Sequence, residues 1–221
     1  IYCVNGARSE LYLSHFVDSE ATLPDVGGAP LRVRQITRYP WDGEVSVVLH
    51  PAEPVNFALK LRIPDRTESE VYFATPELAG QFSVRVNGQP QSPTIEQGYI
   101  AVRGEWRDGD RIELSLPMQV QRVKADPRVV ADVERVAPQY GPLVYNVESV
   151  DLPPGSDLDA LELAPDAPLH AEWDDALLGG VLAIRGAFSD GTPLQAIPNY
   201  ARMNRIRQEQ VRIQAQQRWH A

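Results

Sequence analysis

Apolar and polar residues alternate with period two through most of this chain, the pattern of strands with one buried face. In the run Asn56 to Ile63, Phe57, Leu59, Leu61 and Ile63 fall on one face, and Lys60 and Arg62 point the other way. Leu31 to Arg34 and Val45 to Val47 repeat the pattern over shorter spans. Phe82 to Val86 runs into Asn87-Gly88, a hairpin signal because both residues tolerate positive φ. Arg111 to Leu116 follows the turn Asp108-Gly109-Asp110 and is closed by Pro117. Breakers at 24–28, 40–43, 51–54, 64–67, 87–88 and 108–110 leave only short strands between them, which predicts an all-β, antiparallel sandwich architecture.

A second region begins near Met118. Gln119 to Lys124, Val133 to Val136, Leu143 to Val147, Gly179 to Phe188 and Leu194 to Ile197 read as strands. Asp151 to Asp175, rich in Pro, Asp and Leu, reads as a long surface excursion. The expected division is therefore residues 1–10 as the end of an upstream helix, 11–117 as one β-sandwich with its first strand at Leu11 to Val17, and 118–221 as a second. The Gln- and Arg-rich tail from Asn204 to Ala221 reads equally as a helix or a final strand.

Composition supports a folded core: 43% of the 221 residues are hydrophobic and 23% charged. Nineteen prolines disfavour long helices. A net charge of -9 argues against nucleic acid and anionic membranes as partners, since both select clustered positive charge. All the basic residues except Lys60 and Lys124 are arginine. No apolar run reaches the roughly 18 residues of a membrane span, so a soluble protein is expected. The opening Ile1-Tyr2-Cys3-Val4-Asn5-Gly6 reads like the middle of a longer protein, with any targeting signal upstream and the compartment unreadable.

Candidate chemistry is sparse. Cys3 is the single cysteine, so neither a disulfide framework nor a multi-thiolate metal site can form within the chain. It reads as a small apolar residue at a helix end, with no other thiolate beside it. Thirty carboxylates are present, but Asp108, Asp110, Asp174, Asp175 and the stretch Asp157 to Asp159 sit in turns, as solvated turn residues do. His15, His50, His170 and His220 are scattered, without metal-ligand spacing, and His15 reads as a packed or rim residue of a strand. Trp41, Trp106, Trp173 and Trp219 suit core packing first, an interdomain or dimer contact second and a sugar face third. No phosphate-binding glycine loop and no nucleophile elbow occurs.

Several segments in order resemble the C-terminal part of glycoside hydrolase family 127, the β-L-arabinofuranosidase group once called DUF1680. They are Tyr39-Pro40-Trp41-Asp42-Gly43, Leu59 to Pro64, Val86-Asn87-Gly88, Gly98-Tyr99-Ile100, Trp106 to Asp110, Leu116-Pro117-Met118, Tyr140 to Tyr145 and Ala196 to Ala201. The resemblance covers residues 10 to 205. It implies an (α/α)6 barrel carrying the active site, followed by β-sandwich domains. It further implies a cysteine nucleophile in a zinc-bound thiolate cluster and a glutamate acid/base, all before the stretch with which this chain begins. No catalytic or metal residue is carried over, and no substrate-binding residue is assigned. The expectation is a non-catalytic region that supports the barrel, its implied partner. A homodimer contact and arabinose-containing glycans as substrates of the parent protein belong to the same expectation. A carbohydrate-binding module and a structural interaction domain are the alternatives.

Overall fold

The computed structural model describes residues 1–63 and 71–205. Among these described residues eighteen strands run in chain order as β1 (Tyr2–Asn5), β2 (Glu10–Leu13), β3 (Ser19–Val26), β4 (Ala29–Thr37), β5 (Glu44–Pro51), β6 (Val55–Arg62), β7 (Tyr72–Thr75), β8 (Ser83–Val86), β9 (Gln89–Gln91), β10 (Ile95–Glu96), β11 (Tyr99–Trp106), β12 (Asp110–Ser115), β13 (Val120–Ala125), β14 (Ala137–Tyr140), β15 (Leu143–Val147), β16 (His170–Asp174), β17 (Val181–Ala187) and β18 (Pro193–Pro198). The other regular elements among the described residues are single 3-10 turns. The chain divides into two compact units, 1–70 with 77–118, and 71–76 with 119–221.

The first unit is a sandwich of a five-stranded sheet, β1-β2-β6-β11-β10, and a six-stranded sheet, β3-β4-β5-β12-β8-β9. Inward residues of both sheets form one core, with Leu13, Leu61 and Ile100 from the first and Leu31, Leu49 and Ile112 from the second all fully buried. Full burial of each such side chain contributes about 1.5–3 kcal/mol. The face of β6 read from alternation is the core face, since Phe57, Leu59, Leu61 and Ile63 are all buried. Pairing is antiparallel throughout this unit except between β2 and β6, which run parallel. Asn87 and Gly88 join β8 to β9 with φ of 49° and 78°, the two-residue turn their sequence predicts.

The first ten residues differ from expectation. They form a hairpin, β1 with β2, around a 3-10 turn at Gly6–Arg8, not a helix end. The reason is a strand alternation too short to stand out: Tyr2 and Val4 pack against the core and Cys3 faces outward. The strand expected over Leu11 to Val17 ends at Leu13 as β2, and of residues 14–17 Phe16 alone is in the core.

The second unit is a seven-stranded antiparallel sheet, β16-β17-β18-β15-β14-β13-β7. Its β7 comes from residues 72–75, between segments of the first unit, and pairs with β13. The Val133 to Val136 stretch is a turn rather than a strand, with Glu134 left-handed at φ 63° and the strand beginning at Ala137. The Asp151 to Asp175 excursion is also more ordered than a surface loop. Leu158, Leu161, Leu163 and Leu169 pack over Tyr145, Ile184 and Leu194, and His170–Asp174 is an edge strand. Leucines spaced two to six residues apart in a Pro- and Asp-rich stretch cover the sheet without a helical or strand period. The tail from residue 206 on, with Trp219 and His220, and the break at 64–67 lie outside the described residues.

Candidate functional site

The densest polar cluster of the first unit lies on the outer face of the five-stranded sheet. Side chains alternate faces along a strand, so the residues between the core positions of β2, β6 and β11 share this side. Register sets Glu10 and Arg103 beside Ala58, Tyr12 and Ala101 beside Lys60, and Tyr99 beside Arg62. A tight turn at Gln97 and Gly98, with φ of 52° and 76°, folds β10 back so that Glu96 pairs with Tyr99. Glycine suits position 98 because a side chain at φ 76° is strained whatever the space around it.

Lys60 is only 4% exposed although it sits on the outer face. Its Nζ donates to Glu96 Oε2 and lies 3.7 Å from Glu10 Oε1. Arg103 Nη2 donates to both oxygens of Glu96 at 3.0 Å. Glu10 Oε2 accepts from the Tyr12 hydroxyl at 2.8 Å and from Asn5 Nδ2 at 3.4 Å. Tyr12 meets Tyr99 edge to face, with centroids 5.2 Å apart, and the Arg62 guanidinium stands 5.3 Å over the Tyr99 ring. The Tyr99 hydroxyl is 3.1 Å from Ser14 Oγ. An unpaired ammonium at Lys60 would lose several kcal/mol of solvation, and the two carboxylates offset that loss.

This pairing fixes the protonation chemistry. Lys60 first, then Arg103, holds the Glu96 carboxyl below the usual glutamate range. The hydrogen bond to Glu10, assisted by burial, pushes the Tyr12 hydroxyl up. A glycosidase acid needs a carboxyl with a raised pKa, and Glu96 is shifted the opposite way. Glu10, Lys60, Glu96 and Arg103 form a network of two acids and two bases, in which Glu96 is a paired carboxylate rather than a proton donor.

The lowered pKa of Glu96 makes its contribution to stability present above the ordinary glutamate pKa and lost as pH falls through the native value. The expected result is a loss of first-unit stability across that acidic window. In Lys60→Met, carboxyl NMR should place the Glu96 midpoint nearer the ordinary value and the acid loss should shrink. An identical Glu96 midpoint in both proteins would contradict this electrostatic assignment.

The second unit holds a more buried cluster. Arg205 donates from Nη1 and Nη2 to Asp151 and from Nη2 to Glu148, each at 2.6 Å. Asp151 Oδ1 also accepts from Gln195 Nε2 at 2.7 Å, and Glu148 Oε1 from the Met203 amide at 2.6 Å. The cluster ties residues 203–205 to the end of β15 and to β18.

The residues singled out from the sequence are scattered. Cys3 is exposed on β1 and pairs in register with Tyr12. His15 is exposed beyond the end of β2, outside the strand expected for it. His50 Nδ1 lies 2.6 Å from Asp108, and His170 Nε2 lies 3.7 Å from Glu172. Asp110 accepts the Arg107 amide and the Asn87 side chain, Asp157 accepts the Asp159 amide, and Asp174 accepts the amides of Ala176 and Leu177. All of these carboxylates hold turns. Trp106 is a core residue at 2% exposure, donating its indole N–H to Phe57 O at 3.0 Å. Trp41 is half-buried and Trp173 exposed. No group of three or more His, Cys, Asp or Glu is gathered as metal ligands among the described residues. One cysteine cannot supply a thiolate cluster, so these residues do not fit the zinc site that the resemblance implies for the barrel. No described helix is long and apolar enough to cross a membrane. Glu10, Lys60, Glu96 and Arg103 carry no motif in the sequence; Lys60 between Leu59 and Leu61 is the one local hint, a charge within a run of core residues.

Residues 10–118 match the family described as β-L-arabinofuranosidase, GH127 middle domain, and residues 120–213 the glycoside hydrolase family 127 C-terminal domain. The non-reducing end β-L-arabinofuranosidase of Bifidobacterium longum subsp. longum is 35% identical over 159 residues, which is 68% of this chain and 22% of that protein. A solved GH127 β-L-arabinofuranosidase from Geobacillus stearothermophilus T6 is similar with a TM-score of 0.79 at 33% identity, over 93% of this chain and 33% of that one. A second solved structure, a GH127 β-arabinofuranosidase, gives a TM-score of 0.79 at 26% identity over 90% of this chain and 33% of its own. The chain thus spans about a fifth of the curated relative and about a third of these solved chains.

Proposed function

We propose, from the premise that this chain belongs to glycoside hydrolase family 127 and carries its middle and C-terminal domains, that it is the non-catalytic β region supporting the catalytic domain of an arabinofuranosidase-type enzyme. The observation that carries the reading is the outer face of the five-stranded sheet. Glu10, Lys60, Glu96 and Arg103 are already paired with one another there. A surface that is to be covered by another domain must not leave desolvated charges alone, and internal pairing meets that need in advance. The same pairing holds the Glu96 carboxyl below the usual glutamate range, the opposite of a proton donor's shift. The reading places the catalytic groups, and the zinc implied with them, in the part of the longer protein outside these residues. Arabinose-containing glycans are then substrates of that longer protein.

The support role is tested in the longer protein. Deleting residues 10–213 is expected to lower the thermal midpoint and the soluble yield of the remaining catalytic domain. A catalytic domain equally stable and equally active without them would remove the support role.

A further inference from the structure

The two sheets of the first unit differ in how the charges on their outer faces are matched. Around Lys60 the five-stranded sheet pairs its acids and bases with one another. The six-stranded sheet is matched less completely. Val33, Val47 and Ile112 are buried in the core, so their neighbours Arg34, Val48 and Arg111 stand on the outer face of β4, β5 and β12. Register sets both Arg34 and Arg111 beside Val48. Two strand spacings separate the pair, about 10 Å between backbones.

The carboxylates of this face are placed with other groups. Glu20 lies 3.7 Å from Arg32, Glu44 accepts from the Ser115 hydroxyl at 2.6 Å, and Glu113 stands opposite Arg85 in register. Arg34 is exposed and has no ion pair or side-chain hydrogen bond among the described residues. Arg111 is exposed and donates from Nη1 to the neutral Ser46 Oγ at 2.8 Å. Its other N–H donors are left for a further acceptor. Val48, between them, is apolar and offers neither an acceptor. Two guanidinium groups thus flank one gap with no carboxylate of their own, in a chain whose net charge is -9.

We propose that this face binds an acidic glycan, a chain of uronic acid rings, through carboxylates held by Arg34 and Arg111. A guanidinium presents paired N–H groups that match a carboxylate, which an ammonium does not. The Ser46 hydroxyl lies beside the cations for a sugar hydroxyl to meet. A folded acidic protein fits less well. The outward positions of β4, β5 and β12 hold no Phe, Tyr or Trp, and stable protein interfaces centre on such residues. Nucleic acid fits less well still, because two surplus cations cannot answer one charge per about 1.7 Å of duplex. The acidic balance of the whole chain does not forbid a local site, since screening confines the reach of each charge to about 8 Å at physiological ionic strength. This is not the face on which the support role rests, so failure at either leaves the other standing.

The test is an amide and arginine side-chain NMR titration of the 221-residue chain with trigalacturonate. Arabinotriose is the neutral match, triglutamate the peptide match and inorganic sulfate the simple anion. The expected result is movement of the Arg34 and Arg111 side-chain N–H signals and the Val48 amide with trigalacturonate, at a Kd of about 1 mM, and none with arabinotriose. Binding should be lost as ionic strength rises from about 0.01 M to about 1 M, where the Debye length falls from about 30 Å to about 3 Å. Arg34→Ala and Arg111→Ala should each weaken binding at least about threefold, within the range of an exposed ion pair, with the remaining strand amides in place. Arg135→Ala, which removes an exposed arginine of the second unit, should leave the affinity unchanged. No movement with trigalacturonate, equal movement with arabinotriose, unchanged affinity in either Arg34→Ala or Arg111→Ala, or an equal loss in Arg135→Ala would overturn the proposal. So would triglutamate or sulfate binding at these signals as tightly as trigalacturonate, which would mark an acidic protein segment or an unselective anion site instead. Should one alanine variant fail to fold, the other and the wild-type shift map decide.

Discussion

Replacing Arg205 with alanine is expected to destabilise the second unit by about 3–5 kcal/mol, the range for breaking a buried ion pair from one side. Arg205 bonds two carboxylates at once, and the Glu148 and Asp151 side chains are only 6% and 7% exposed. Removing the guanidinium would leave two buried negative charges facing each other with their remaining partners, the Met203 amide and the Gln195 side chain. The carboxylates raise the pKa of Arg205, with Asp151 first among the causes, so the cation is fixed at any ordinary pH. Arg205→Lys should recover only part of the loss, since an ammonium cannot span both carboxylates as a planar fork does. Urea unfolding followed by hydrogen exchange at β15 and β18 is the measurement. Unchanged protection of those strands in Arg205→Ala would mean that the cluster contributes no stability.

Gly43→Ala is the second large expected effect, a loss of about 3 kcal/mol at the upper end of overpacking costs, confined to the first unit. A Cβ at this position would stand 1.9 Å from the carbonyl oxygen of Leu116 and 2.9 Å from its carbonyl carbon. Both obstacles are backbone, so no side-chain rotation relieves them. Gly43 O also accepts the Leu116 amide at 3.0 Å, directly before the β5–β12 pairing begins at Glu44 and Ser115. The substituted chain must either lose that bond or part the two strands. Hydrogen exchange should report faster opening at Leu116 and at the Ser115 end of β12. Exchange equal to the wild type would show that the strands yield without cost. The result also gives a physical reason for two of the segments that carry the family resemblance: Gly43 closes the Tyr39 to Gly43 turn against Leu116 of the Leu116-Pro117-Met118 segment.

What could be read from the sequence was what period two and turn chemistry encode locally. The core face of β6, the Asn87-Gly88 hairpin and the strand ended by Pro117 all depend on near neighbours. The N-terminal hairpin escaped because Tyr2 and Val4 show a single repeat of the alternation, which also fits a helix end. The excursion after Asp151 escaped because its leucines cover a sheet without sharing a period. The polar clusters lie beyond such reading. Glu10, Lys60 and Glu96 are brought together by a parallel β2–β6 pairing and a two-residue turn at Gln97-Gly98. Glu148 and Asp151 meet Arg205 from more than fifty residues away. Trp173 is one of four tryptophans in the sequence, and its hydrogen bond to Asp175 and the close approach of Gly180 exist only once the hairpin has formed.

A region that supports a family 127 enzyme without catalysing its reaction should be inert by itself. The most direct measurement is hydrolysis of an aryl β-L-arabinofuranoside by the purified 221-residue chain. No release of the aryl group above the uncatalysed rate is expected, with or without added zinc. Turnover that is abolished by a point substitution within the chain would contradict it.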